Sequence, residues 1–270
     1  MAIEGTEHKL PGLDVELYEY KNYHRLKLKS KTAKEYKWTK SVTTITNTLD
    51  KPALPAWYAK MVMEELKSEV MPDPESIEYE SRLDFISKAG DRARDHAALV
   101  GTQAHEMIAA NASHKFGELI GEGQEPEAFA AFSTFLEWAD LHKMKPILWE
   151  QVVGSIKFDF AGILDMICKL LWKGKEIKAL IDFKTSNAVY PSGFGQIGGY
   201  WQALRESFPD IAKTLDMGII LNFRRDGSPM DVYAFTLDEM EDAVKFFGNL
   251  RRSKAGLDDA AKLLKSKKGV

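Results

Sequence analysis

ILWEQVVGSIKFDFAGILDMICKLLWKGKEIKALIDFKTS, residues 147–186, decides the fold. It holds three apolar runs, ILWEQVVGSI (147–156), FAGILDMICKLLW (160–172) and IKALIDFKTS (177–186), parted by short polar turns. Runs of this length, bounded by turn residues, read as three consecutive strands of a meander. If the second and third strands fold about the two-residue turn Lys173-Gly174, Trp172 faces Lys175 and, counting back in step, Asp165 faces Asp182. Folding the first two about Lys157-Phe158 sets Glu150 opposite Asp165. Directly opposed side chains lie roughly 5 Å apart at Cβ, and ionised carboxylates that close repel unless a cation sits between them. A slip of one residue would turn a whole strand to the other face, so the row of three carboxylates stands or falls with this register.

Asp182 and Lys184 are two apart on one strand and project from the same face, while Phe183 points the other way into the core. An Asp and a Lys in a strand that otherwise reads ALIDF are costly to bury unless paired or metal-bound. An edge-strand salt bridge is the plain alternative, but it leaves Asp165 unexplained. Oxygen ligands of this kind suit Mg²⁺ or Mn²⁺ rather than zinc. Such a metal lowers the pKa of a bound water and neutralises charge growing on a phosphate, and Lys184 is placed to orient that water or stabilise the transition state. The chemistry expected is phosphodiester hydrolysis.

Outward from the meander, short alternating runs at VELYEY (15–20), YHRLKL (23–28) and SVTTIT (41–46) predict strands or hairpins. Pro52 and Pro55 precede a helix over WYAKMVMEELKSEV (57–70), with Pro72 and Pro74 beyond it. One or two amphipathic helices are expected from Ser76 to Ala112, interrupted near Gly101, and another over Glu127–His142. After the meander come a helix over 188–207, strands in LDMGIILNFRR (215–225) and MDVYAFTL (230–237), and a closing helix over 236–266. The order predicts an α/β fold, a mixed central sheet flanked by helices, with a β-hairpin and helical N-terminal elaboration over 1–95 and the core over 96–270.

The composition is that of an ordinary globular chain: 44% hydrophobic and 29% charged residues among 270, with a net charge of −3. No run is long and apolar enough to span a bilayer, and the start lacks the order of a signal peptide, so a cytoplasmic location and no membrane partner are expected. The single cysteine, Cys168, excludes an intramolecular disulfide and a four-cysteine iron–sulfur cluster. Lysine-rich stretches at Lys27–Lys40 and around Arg251, Arg252 and Lys262–Lys268 are local, and each alone reads first as a solvated face.

The series GTQAH (101–105), Glu150, GILD (162–165), DFK (182–184) and QIGGY (196–200) resembles the RecB-type branch of the PD-(D/E)xK nucleases, to which lambda-exonuclease-like enzymes are related. SVTTITNTLDKPAL (41–54) extends the likeness upstream. The resemblance implies a restriction-endonuclease-like core and a DNA nuclease of recombination, repair or replication, most simply an exonuclease, with a phage among its natural sources. It makes Asp165 and Asp182 metal ligands together with His105 and the Phe183 carbonyl. Lys184 becomes the catalytic lysine, and Glu150 and Gln196 stand beside it. Gln196 and Tyr200, four apart on one helix face, are expected with Thr185 and Ser186 to position DNA. Its partners would be DNA, single- or double-stranded, and a single-strand-binding or annealing protein. Without the family, His105 reads first as a core histidine and Tyr200 as packing. The rival readings are a structure-specific or restriction-type endonuclease, a non-catalytic nucleic-acid-binding module of the same fold, and a metal-dependent phosphatase or other hydrolase of small substrates. The last would need a closed pocket.

Overall fold

A computed structural model describes residues 6–13, 15–20, 25–30, 37–68, 70–114, 123–224 and 229–268; between 15 and 38 only Leu17 has a described side chain. The first strands, β1 (Thr6–Lys9), β2 (Val15–Tyr20), β3 (Arg25–Ser30) and β4 (Lys37–Trp38), form a small antiparallel sheet, of which the alternation predicts β2 and β3. Of the lysines between 27 and 40, only Lys40 has a described side chain, and it is paired with Asp258 at 2.7 Å.

The helices follow the proline punctuation. They are α2 (Leu54–Ser68), α3 (Ile77–Ser87), α4 (Ala89–Ala112), α5 (Pro126–Leu141), α6 (Pro191–Ser207), the short α7 (Pro209–Ala212) and α8 (Leu237–Lys267). Two expectations fail. Gly101 does not interrupt α4, which runs unbroken through it and across residue 95, the expected end of the N-terminal segment. SVTTIT is not a strand: after β5 (Lys40–Ser41), residues Val42–Thr46 form a short helix, α1. The Ser41 hydroxyl accepts from the Thr44 amide at 3.0 Å. This N-cap satisfies a donor that a strand would have left to a neighbour, which is how a β-branched run comes to start a helix.

The meander is β6 (Lys145–Ser155), β7 (Phe160–Trp172) and β8 (Lys175–Lys184), followed by β9 (Met217–Asn222) and β10 (Asp231–Phe235). The central sheet is mixed and open, in the order β10-β9-β8-β7-β5 with β6 also on β7; β9 is parallel to β8 and β5 to β7. Trp172 pairs with Lys175, as the arithmetic requires, about a turn in which Lys173 and Gly174 have φ of 48° and 80°. Two successive residues with positive φ make the twisted hairpin turn that Gly favours.

Helices α4 and α5 cover one face of the sheet, packing Met107, Ile108, Phe132 and Phe135 on Met166, Cys168, Ile181 and Phe183. Helices α1, α6 and α8 cover the other, packing Ile45, Trp201, Leu204 and Phe247 on Leu164, Ile167, Leu180 and Ile220. The layer over α6 depends on one small residue. A Cβ added at Gly198 would lie 2.3 Å from the Ala243 carbonyl carbon and oxygen, so α6 and α8 touch backbone to backbone. Gly198→Ala is expected to destabilise the protein by about 3 kcal/mol, since overpacking against backbone finds no rotamer to yield. Thermal unfolding checks this, and an unchanged midpoint would contradict the contact. No helix among the described residues is long and apolar enough to cross a membrane.

Candidate active site

On the edge that faces β8, β7 is served by two neighbours. β8 pairs with residues 166–172 and the two-residue β5 with Phe160 and Ala161, which leaves 162–165 between them unpaired on that edge. Continuing the ladder by one rung would set Asp165 opposite Asp182, but pairing ends at Met166–Ile181. On the other edge the rungs Gln151–Leu164 and Trp149–Met166 flank Glu150 and Asp165, and that rung too is missing. The flanking rungs therefore keep the expected register, but the rungs that would pair the three acids directly are absent, and the acids stand where the sheet opens.

The lapsed rung on the β6 edge coincides with an unusual backbone. Glu150 has φ of 44°, left-handed for a non-glycine residue inside a strand. Facing parity reverses beside it: Leu164 and Ile167 lie in the α6–α8 layer, Met166 in the α4–α5 layer. Where the ladder lapses, the Phe183 amide donates to Asp165 Oδ2 at 2.6 Å, so a carboxylate substitutes for the missing strand carbonyl.

Groups from both helical layers reach this opening. From α4, His105 Nδ1 stands 3.6 Å from Asp165 Oδ1, and its ring meets Phe183 edge-on at 5.8 Å. From α6 comes Tyr200, 9% exposed, close enough that Asp165 and Asp182 both act on its hydroxyl. His105, Ile108, Ala109, Glu150, Asp165, Met166 and Phe183 line a cleft of about 210 Å³, solvent at its mouth included. Asp182 and Lys184 do not line it. Asp182 is 2% exposed, and its Oδ2 lies 2.5 Å from Lys184 Nζ. Beyond this ion pair Oδ2 has no hydrogen-bond partner among the described residues. Lys184 Nζ also donates to the Phe183 carbonyl at 3.2 Å, so this expected ligand faces the lysine.

The electrostatics divide the two aspartates. Burial opposes the charge of both. For Asp165, His105, Lys184 and the Phe183 amide outweigh burial and hold the carboxyl below its usual range. For Asp182 burial wins, aided by the Asp165 charge against the pull of Lys184, and the carboxyl is pushed up to about 6. Burial likewise opposes the imidazolium of His105, yet Asp165 raises its pKa above the ordinary value. The Tyr200 hydroxyl, buried beside two acids, is pushed well up and stays protonated. A buried carboxylate oxygen held by nothing but an ammonium, two acids that repel and a nearby imidazole together fit a hard divalent cation.

The motif glycines are close approaches. A Cβ at Gly162 would meet Tyr200 Cε1 and Val42 Cγ2, each at 3.0 Å, so GILD, QIGGY and SVT meet at one point. A Cβ at Gly101 would meet Thr185 Oγ1 at 2.9 Å, which ties GTQAH to the residue after DFK. The remaining expected residues stand apart from the carboxylates. Gln196, half-buried one turn before Tyr200, has no hydrogen bond to them among the described residues. Thr185 packs on Gly101. Half-buried Ser186 ties the β8–α6 connection to β9, its amide and hydroxyl reaching Asn222 Oδ1 at 3.1 and 3.2 Å.

Two clamps escaped the sequence reading. Glu206 of α6 accepts from Ser155 Oγ and from the Ile156 and Lys157 amides, and Arg251 of α8 donates to the Phe158 carbonyl and pairs with Asp159. Together they hold the β6–β7 turn. Arg251 thus belongs to the fold rather than to a basic track. His96, Glu125 and Glu127 bring ligand atoms within 4.8 Å of one another at the start of α5, away from the cleft residues. There the positive end of the helix opposes a cation. Compared with known protein families and with curated proteins, the chain matches none of them.

Proposed function

We propose that this chain is a divalent-metal-dependent DNA nuclease with a restriction-endonuclease-like core, of the PD-(D/E)xK type and acting as an exonuclease. The observation that carries the reading is the meeting of Asp165, Asp182, Lys184 and His105 where β7 and β8 part. Asp165, Asp182 and His105 would hold Mg²⁺ or Mn²⁺, with Glu150 lining the cleft beside Asp165 and His105. Bound there, the cation neutralises charge on a phosphate and acidifies a water.

The chain's own groups do the rest. Lys184 brings an ammonium to the strand end, a quarter exposed, where its donors can orient the attacking water and meet charge developing on the phosphate oxygens. His105, fixed between Asp165 and the Phe183 ring, holds Asp165 in place from the α4 side. Tyr200 keeps its proton and supplies a neutral donor beside both acids. The Phe183 amide orients the Asp165 carboxylate, a support that leaves Oδ1 for the cation.

End-labelled linear single- and double-stranded DNA and a closed circle, each incubated with Mg²⁺ and with EDTA, test the reading. Mg²⁺-dependent loss of the linear substrates alone is expected. Cutting of the circle would make the enzyme an endonuclease. Intact DNA with both Mg²⁺ and Mn²⁺ would overturn the assignment.

A further inference from the structure

Beside the cleft stands a tryptophan that the fold leaves partly uncovered. Trp149 lies on β6, one residue before Glu150, and its partner across the ladder is Met166. Opposed residues of a ladder share a face, so Trp149 stands on the α4–α5 side of the sheet, next to two residues that line the cleft. β6 is an edge strand, paired among the described residues with β7 alone. The indole is 37% exposed, and among the described residues it meets no other ring, no cation and no hydrogen-bond partner. Ile147, the extra residue where the register shifts between Pro146 and Leu148, is equally exposed.

The chemistry of the cleft says what would cover that ring. Its lining holds two acids, a histidine and the apolar Ile108, Ala109, Met166 and Phe183, with no lysine or arginine among them. Such a wall repels a phosphate backbone everywhere except at a bound cation, so a nucleic acid gains little there from its charge. Further attraction has to come from the bases. In a duplex the base faces lie on one another and only their edges reach the grooves. In a single strand the faces are open to an aromatic ring.

We propose that Trp149 is a stacking platform for an unpaired base of single-stranded DNA, whose adjoining phosphate lies at the candidate cation site. The inference rests on the nuclease reading of the cleft and names its substrate class. Trp149 adjoins Glu150 and Met166 adjoins Asp165, so on each strand the platform and the acid are one residue apart, about 3.3 Å along the chain. That is within the reach of a single nucleotide. Stacking uses the π-face that every base has, so the site selects for an unpaired strand and not for a sequence.

Fluorescence anisotropy of the Lys184→Ala protein with Mg²⁺, a background in which the DNA survives the titration, tests it. The labelled probes are an oligothymidylate, a hairpin duplex and an abasic strand of the same length as the oligothymidylate. Adding Trp149→Ala should weaken oligothymidylate binding about 5–100-fold, while Trp149→Phe recovers most of the loss. Binding of the duplex and of the abasic strand should not change. An equal loss on the abasic strand would make Trp149 a scaffold residue and overturn the proposal. Oligothymidylate binding that is absent, or indifferent to Trp149, would overturn it as well. The two readings fail separately. A wild type that cuts DNA, with oligothymidylate binding indifferent to Trp149, keeps the nuclease and removes the platform. Trp149-dependent binding by a protein whose wild type leaves DNA intact with both Mg²⁺ and Mn²⁺ removes the nuclease and keeps the platform.

Discussion

Replacing Lys184 by alanine is expected to slow DNA cleavage by about 10²–10⁴-fold while leaving fold and cation binding intact. Lys184 ends β8, its side chain a quarter exposed, and no core side chain depends on it. Its two contacts are the Asp182 carboxylate and the Phe183 carbonyl. Losing the ammonium removes a charge that competes with the cation for Asp182, so Mg²⁺ binding persists. What disappears is the donor that meets the phosphate in the transition state, an interaction absent from the ground state. The loss should therefore appear in kcat rather than in KM. Single-turnover cleavage alongside calorimetric titration with Mg²⁺ separates the two. Full activity in this variant would end the nuclease assignment, and loss of cation binding would move Lys184 from chemistry to scaffolding.

Asp182→Asn is expected to stabilise the cation-free protein at neutral pH and to make it inert. A carboxyl whose ordinary value is 3.8 and which the fold pushes up to about 6 holds its proton more tightly folded than unfolded. Its contribution is thus fully present below the ordinary value and lost as pH rises through about 6. His105, raised above its ordinary 6.5, adds a loss of the same sign at higher pH, whereas Asp165, lowered, contributes a change only below 3.8. Without divalent cations, then, the protein should be less stable at about pH 7.5 than at about pH 5. The amide that replaces the carboxylate carries no charge to desolvate. Since Lys184 loses its partner in exchange, the net gain should be about 1–2 kcal/mol, or several degrees in melting temperature. Mg²⁺ should raise the melting temperature of the wild type and leave the variant unmoved. Thermal melts at both pH values, with Mg²⁺ and with EDTA, check all three statements. A variant that still responds to Mg²⁺ would remove Asp182 from the ligand set.

Much of the site is legible because hairpin register follows from turn placement. The turn at Lys173-Gly174 sets the rungs from Trp172–Lys175 to Met166–Ile181, and the turn centred on Lys157-Phe158 sets Ser155–Phe160 and those beyond. From these alone Glu150, Asp165 and Asp182 fall into line. The parting of the strands is not legible, since the features that accompany it, the φ of Glu150 and the hydrogen bond from the Phe183 amide to Asp165, have no periodic signature. The helix at Val42–Thr46 is hidden by three β-branched threonines, although Ser41 at its head is a legible cap. Buried Asn222 and the Glu206 and Arg251 clamps join positions 36 to 93 residues apart, beyond any local pattern. Glycine spacing fares better than its apparent reason. Gly101 reads as a break in a helix, but it is the small residue that lets α4 pass Thr185.

A β-sheet normally partitions a protein, so that the packing on one side evolves with little reference to the other. At residues 162–165 of β7 that partition has a window, and side chains from both compartments meet on one carboxylate. Sequence drift on the α6 side, by moving Tyr200, will be felt by His105 on the α4 side, and the reverse. Tolerance to substitution should accordingly be asymmetric along the strand, broad at Cys168 and Leu170 within one compartment and narrow at Gly162 and Asp165, where both must agree.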